Sequence, residues 1–185
     1  MKELFEAVRA GDLSKVQALV DANPSLAVFA ASILGQSDRL ETMIAGDRSL
    51  VSAVSEDGWT PLHLAAFFGK EEAARLLLNK GAQTAARSTN AMQNTPLHAA
   101  AAGKHVALVK LLLERGAKAD SRQHGGWTPL HAAAQTGDVE MARALVEGGA
   151  DVAARADNQQ RPIDLALTGG HQAMVEFLET RGAAV

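Results

Sequence analysis

Three histidines recur at regular intervals and are the side chains in this sequence best suited to metal binding or acid–base chemistry. His63, His98 and His131 lie 35 and 33 residues apart, and each follows the tripeptide Thr-Pro-Leu. Imidazole is a common zinc ligand and a frequent general base. However, the ligands of one zinc ion converge to within about 2.1 Å of it, whereas neighbouring helices pack roughly 10 Å apart. We therefore expect each imidazole to bond the backbone of its own or the adjacent repeat.

No other pattern of reactive residues is present. The sequence has no nucleophile-elbow, P-loop, dinucleotide-binding or zinc-protease motif. The remaining histidines, His105, His124 and His171, are predicted to be isolated and exposed. We predict no catalytic residue, no cofactor, no metal and no enzymatic activity, with an unfamiliar groove site as the alternative.

Composition narrows the class of protein further. Of the 185 residues 47% are hydrophobic and 21% are charged, as in soluble globular proteins. The net charge is −3 and no run of like charges occurs, so neither nucleic-acid binding nor membrane binding is expected. Without cysteine the chain forms no disulfide. Acidic residues near Met1 and a longest apolar run of only residues 26–34 predict no export signal and no transmembrane segment, and hence a cytoplasmic location.

The histidines belong to a longer repeated pattern. Thr-Pro-Leu-His begins at Thr60, Thr95 and Thr128, and a weaker copy, Arg-Pro-Ile-Asp, begins at Arg161. In every copy a Gly-Ala pair follows the first residue by 21 positions. Threonine is a good helix N-cap and proline is tolerated in the first turn, so each copy starts a short helix. A second helix with apolar residues at helical spacing follows and ends at the Gly-Ala pair.

The chain before Thr60 has the same plan without the connecting hairpin. Aligning Gly11 and Gly35 with Gly69 predicts two more helix pairs, giving six in all. Their second helices are predicted to end at Asn23 and Asp47. Asparagine and aspartate tolerate the left-handed conformation that ends many helices, so we expect that conformation at both positions.

The Thr-Pro-Leu-His-x-Ala-Ala pattern with its in-phase glycines resembles the ankyrin repeat over nearly the whole chain. This resemblance implies an all-α fold with short β-hairpin fingers, an ankyrin-type α-solenoid of stacked helix–turn–helix repeats with a concave face. We predict one such domain over residues 1–185. Its segments are an N-terminal capping helix pair (1–23), an irregular second pair (24–54), three repeats (55–89, 90–122 and 123–155) and a C-terminal capping repeat (156–185).

One repeat departs from the pattern at its first helix end. Gly103 comes one place early, and Lys104 occupies the usual glycine position. A left-handed lysine costs about 1 kcal/mol or more, so we expect a local adjustment there. The finger before Thr95 is also two residues longer than its neighbours.

The resemblance also implies where a partner would bind: at the fingers, at the exposed end of each first helix and at the residue that closes each repeat. The predicted partner-binding residues are Glu56, Asp57, Trp59, Phe67, Phe68, Arg87, Met92, Asn94, Arg122, His124, Trp127, Gln135, Thr136, Arg155, Asp157, Asn158 and Gln160.

Two groups within this set are in phase with the repeat. Both tryptophans occupy one repeat position, and three of the arginines occupy another; both residue types are enriched in binding hot spots. Alternatively, the tryptophans pack along their own fingers and the arginines pair with acids on adjacent repeats. Phe67 and Phe68 cannot both face the core of a short helix, so one is expected to add an apolar patch beside Trp59.

Together these features predict an adaptor that binds a protein of unknown identity and is monomeric alone. An inhibitor or immunity-type protein that blocks an enzyme, and a self-associating structural protein, remain as alternatives. The repeat pattern does not separate them, because one fold serves unrelated partners.

Overall fold

The computed structural model describes residues 1–183, which form twelve α-helices in six consecutive pairs. Each pair is called a unit, and the units are numbered one to six along the chain. Ala184 and Val185, the last positions of the predicted C-terminal repeat, lie outside the described residues. The helices are α1 (Lys2–Arg9), α2 (Leu13–Ala22), α3 (Ala27–Leu34), α4 (Ser37–Gly46), α5 (Pro61–Phe67), α6 (Glu71–Asn79), α7 (Pro96–Ala102), α8 (Val106–Glu114), α9 (Pro129–Thr136), α10 (Val139–Glu147), α11 (Pro162–Thr168) and α12 (Gln172–Glu179).

The first helix of the third unit starts as its sequence predicts. Thr60 is extended and precedes Pro61, which occupies the first helical turn. The Thr60 hydroxyl accepts the His63 N–H, while His63 Nδ1 accepts the Thr60 N–H, so two otherwise unpaired backbone donors are satisfied. The bond from the threonine N–H to the histidine Nδ1 also precedes α7 and α9. This cap places each imidazole at one fixed position in its unit.

The helices form two layers, and the core runs between them through all six units. First helices contact one another in chain order from α1 to α11, and second helices do so from α4 to α12. Small residues in the first helices, such as Ala65 and Ala66, are fully buried and allow the neighbouring helix to approach closely. The second helices contribute a column of leucines with 0% exposure, namely Leu77, Leu112, Leu145 and Leu178. Burial of each leucine contributes about 2 kcal/mol, so the column holds successive units together.

The first two units end differently from the prediction. Asn23 and Asp47 are extended, with φ of −142° and −144°, so the predicted left-handed conformation was wrong. Each side chain instead accepts a backbone N–H two residues ahead, from Ser25 and Ser49, and caps the 3₁₀ helices Pro24–Leu26 and Arg48–Ser52. Capping stabilises these short helices. Pro24–Leu26 leads directly into α3, whereas Arg48–Ser52 is followed by a finger before α5.

The fingers are tight turns, and no β-strand occurs within residues 1–183. Four finger turns, residues 55–59, 88–94, 123–127 and 156–160, are each closed by a hydrogen bond from the backbone N–H of the first residue to the carbonyl of the last, at 2.8–2.9 Å. Single backbone bonds of 2.8–2.9 Å join neighbouring turns, as from His124 N–H to the Met92 carbonyl. The turns therefore form one continuous row along the stack. None of the helices in residues 1–183 is both long enough and apolar enough to cross a lipid bilayer.

The fourth unit accommodates its displaced glycine without changing the helix end. Lys104 itself adopts the left-handed conformation, with φ of +61°. Gly103 has an ordinary helical conformation, but a Cβ there would clash with the Phe67 carbonyl and would lie 2.7 Å from His105 Cδ2. Position 103 therefore requires glycine, because no side chain fits there. The left-handed conformation falls on Lys104 instead, which lowers the stability of the fold.

We expect Lys104→Gly to raise the free energy of unfolding by about 0.5–1 kcal/mol, because glycine adopts positive φ without the steric cost of a side chain. Lys110→Gly, at an exposed position inside α8, is the matched control and should lower it by about 1 kcal/mol. Urea unfolding followed by circular dichroism measures both. Equal destabilisation by the two substitutions would contradict this account of Lys104.

Candidate binding surface

Each of the three regularly spaced histidines bridges two units. Nε2 of His63, His98 and His131 lies 3.0, 3.2 and 3.1 Å from the main-chain carbonyls of Asn94, Trp127 and Gln160. A carbonyl only accepts, so Nε2 carries the proton and donates it, which leaves Nδ1 to accept from the threonine cap. The expectation that these imidazoles bond the backbone of adjacent repeats is confirmed.

Burial keeps these imidazoles neutral. Loss of solvation lowers the pKa of His63 and of His98 from 6.5 to about 4, although their backbone bonds oppose the shift. The pKa of His131 is lowered for the same reason. A neutral ring with both nitrogens bonded has no free position for a ligand. Within residues 1–183, no group of three or more His, Asp or Glu side chains is placed to hold a metal ion.

Two further histidines also connect units, contrary to the prediction that they are isolated and exposed. His105 and His171 are half-buried, and their Nε2 atoms lie 3.0 Å from the carbonyls of Phe67 and Gln135 in the preceding unit. A Cβ on Gly69 would lie 2.6 Å from the His105 ring, so that glycine provides the space for it. Only His124 is exposed as predicted.

The predicted contact residues lie on the finger turns and at the C-terminal ends of the first helices, a surface that we call the finger face. The half-buried members are Trp59, Phe67, Phe68, Trp127 and Gln160. The exposed members are Glu56, Asp57, Arg87, Met92, Arg122, His124, Gln135, Thr136, Arg155, Asp157 and Asn158.

Asn94 is the exception among the predicted contact residues, because it is buried. The residue is only 8% exposed, and no hydrogen-bond partner for its Oδ1 lies within residues 1–183. Its backbone is fully engaged, because the N–H donates to Ser88 Oγ and the carbonyl accepts from both Ser88 N–H and His63. The longer finger turn directs Asn94 into the stack.

The tryptophans pack on the histidines of their own units and keep part of each ring exposed. The Trp59 and His63 ring centres are 6.0 Å apart, and those of Trp127 and His131 are 5.5 Å apart. Each indole therefore packs against the first helix of its own unit. Half-exposed rings held in this way lose little conformational entropy when a partner covers them.

The arginine column mainly ties the finger turns together. Arg87 Nη1 donates to the carbonyl of Arg122 at 2.8 Å, and Arg122 Nη2 donates to that of Arg155 at 2.7 Å. Arg155 Nη1 donates to Gln159 within its own finger turn. One acidic partner is near, Asp157, at 3.5 Å from Arg122. Much of the donor capacity of the column is therefore used within the protein.

Two residues of the first unit extend the finger face and were missed from the sequence. Phe5 stacks on Phe68 of the third unit with ring centres 5.8 Å apart, and Arg9 lies beside the same aromatic group. Because α3 is preceded by a 3₁₀ helix, the second unit has no finger turn of its own. The sequence does give one indication of this role for Phe5. Phe5 aligns with His63, and that repeat position is not one of the leucine or alanine positions that form the core.

Comparison with known proteins agrees with this architecture. A family model described as ankyrin repeats, in three copies, matches residues 4–123 and 97–185. Protein phosphatase 1 regulatory subunit 12A from Mus musculus and the same subunit from Rattus norvegicus are each 34% identical over an alignment of 94 residues that covers 46% of this chain. The match covers only 9% of the length of each relative.

We expect stability to fall as the pH falls from 7.5 to 5. The folded-state pKa of His63 and of His98, about 4, lies below the unfolded value near 6.5, so protons bind more tightly to the unfolded chain. Each histidine should remove about 2 kcal/mol over this interval. Urea unfolding at a series of pH values measures the loss.

His98→Gln removes one titrating group and should make this pH dependence shallower, while lowering stability at pH 7.5. His124→Gln, at an exposed position, is the control and should leave the dependence unchanged. A wild-type stability that is constant between pH 7.5 and 5 would refute the assignment.

Proposed function

Because the chain belongs to the ankyrin repeat family, we propose that it is a non-catalytic module that binds a protein partner through its finger face. Ankyrin repeats are generally protein-interaction modules. The finger face corresponds to the side that the repeat pattern predicts to be concave. The partner would lie along the row of finger turns and contact several units at once.

The half-exposed tryptophans are the observation that carries this proposal. Trp59 and Trp127 occupy the same position in two units, and each is fixed by a buried histidine. Tryptophan is among the residues most enriched in binding hot spots, above all where its ring is held rigidly. The finger face also carries exposed side chains, among them the polar Gln135 and Met92, which is 48% exposed. An apolar ring within a polar rim is the usual composition of a protein interface.

The charged residues of the finger face would then contribute orientation more than affinity. The arginines already donate to backbone carbonyls, so a partner carboxylate would add to these bonds rather than create the site. Glu56, Asp57 and Asp157 are exposed at the tips of the finger turns, where rim charges influence the rate of association. We therefore expect substitutions of the tip residues to change the association rate more than the dissociation rate.

A second candidate is regulation of an enzyme by direct contact. The relatives are regulatory subunits of a protein phosphatase, and their matching segment covers about half of this chain. That likeness favours an enzyme as the partner, which would make the chain an inhibitor or a targeting subunit. Such a role needs no reactive residue, because a bound finger face can block or direct another protein's active site.

Affinity capture from lysates of the cells that make the protein tests the proposal. The immobilised chain is compared with a Trp127→Ala chain and a Lys110→Ala chain, and captured proteins are identified by mass spectrometry. A partner retained by the wild type and by Lys110→Ala but lost with Trp127→Ala supports the finger face. If light scattering of the pure chain gives two or more times the monomer mass of 19.4 kDa, that result would favour self-association instead.

With a purified partner, we expect Trp127→Ala to weaken binding roughly 30-fold, about 2 kcal/mol, because a rigid aromatic contact is lost. Its carbonyl still accepts from His98 in the variant, so the finger turn keeps its main anchor. Isothermal titration gives the affinity and circular dichroism confirms the fold. Unchanged affinity for Trp127→Ala would place the interface elsewhere.

A further inference from the structure

Four aromatic rings form a continuous group at the N-terminal end of the finger face. Phe5 stacks on Phe68 at 5.8 Å, Phe68 meets Phe67 edge-on at 5.3 Å, and Phe67 meets Trp59 edge-on at 5.4 Å. The rings come from α1, from the finger turn at residues 55–59 and from the end of α5. Together with Arg9 they line a pocket of about 190 Å³, which we call the aromatic pocket.

The aromatic pocket borders the hydrophobic core but also forms part of the exposed surface. All four rings remain partly exposed although each is large and apolar, and contiguous apolar surface of this kind marks interaction sites on soluble proteins. The volume lies below the roughly 300–1,000 Å³ that is typical of small-molecule sites. It is therefore better matched to one side chain of a polypeptide than to a metabolite or cofactor.

Arg9 sets the charge of the pocket. It is the last residue of α1, and its exposed side chain makes no hydrogen bond or ion pair with any residue between 1 and 183. Among the described residues it is the one charged side chain that lines the pocket. A free guanidinium binds carboxylates well, often through two parallel hydrogen bonds. The same positive charge would repel a lysine or arginine side chain of a partner. The rings are therefore not suited to a cation–π contact with the partner.

We propose that the aromatic pocket receives a bulky apolar side chain from an acidic segment of the protein partner, with a neighbouring aspartate or glutamate bound by Arg9. The inference rests on the proposed function and adds the chemical character of the partner. Glu56 and Asp57 are exposed and acidic at the tip of the same finger turn. The acidic residue of the partner therefore lies on the α1 side of the pocket, away from that tip.

A random twelve-residue peptide library displayed on phage, selected on the full chain, tests this preference. Wild type should enrich peptides with Leu, Met or Phe next to Asp or Glu. Arg9→Glu should lose that motif, while Arg48→Glu, at an exposed arginine that does not line the pocket, should retain it. Enrichment of basic peptides, or of no motif, would overturn the proposal.

The best selected peptide is then synthesised and titrated. Arg9→Glu should weaken its binding about tenfold, because an attraction becomes a repulsion, and Arg48→Glu should change it less than twofold. A second peptide with lysine replacing the acidic residue should recover affinity for Arg9→Glu only. Failure of this charge exchange would show that Arg9 does not contact the acidic residue, and would overturn the proposal even if the peptide binds.

Trp59 reports directly on the location of the peptide. The chain has two tryptophans, so Trp127→Phe leaves Trp59 as the only indole. Peptide binding in the pocket should shift its emission, and an unchanged emission at saturation would place the peptide elsewhere.

Capture of a folded partner that depends on Trp127 but is unaffected by Arg9→Glu would contradict this inference while the proposed function stands. Capture that is lost with Arg9→Glu but not with Trp127→Ala would support the aromatic pocket and contradict the wider proposal for the finger face.

Discussion

A buried imidazole that holds a main-chain carbonyl in the next finger turn is the interaction on which the surface of this protein depends. His63, His98 and His131 each make this bond, and each is fixed at its other nitrogen by the threonine that starts its helix. The bond carries no net charge at neutral pH, because burial lowers the pKa of each ring. It thus positions a finger turn, and the tryptophan packed on the histidine, without the cost of burying an ion.

Bonds to main-chain carbonyls also distinguish the side chains of the finger face that hold the structure together from those that are free to bind a partner. The arginine column resembles a basic binding surface in the sequence, but its donors are directed to carbonyls of neighbouring finger turns. The Arg9 side chain lies at the end of a first helix rather than in that column, and it has no such partner within residues 1–183. The irregular N-terminal end is therefore where an aromatic group and a free cation occur together. A departure from the repeat produced the most distinctive feature of the surface.

The repeat period predicted the helix pairs and the buried bonds of the motif histidines, because those features recur at fixed positions. It was less informative for residues outside the repeated motif. His105 looks isolated in its own repeat but lies against Gly69 of the preceding unit, and Phe5 meets Phe68 two units away. Asn23 and Asp47 were assigned by alignment with a glycine, although each is extended and caps a 3₁₀ helix that begins directly after it. Asn94 is buried, unlike the other predicted contact residues, and it lies in the finger turn that is two residues longer than its neighbours.

The leucine column and the histidine bonds also imply how the stack would respond to mechanical load. Each bridging histidine bond joins a unit to its immediate neighbour, so tension applied at the two ends passes through many similar junctions in series. A small opening at each junction adds to a large change in length, whereas a single globular core resists until it ruptures. The protein can thus behave as a soft spring, and a bound partner that spans several units would stiffen the section it covers.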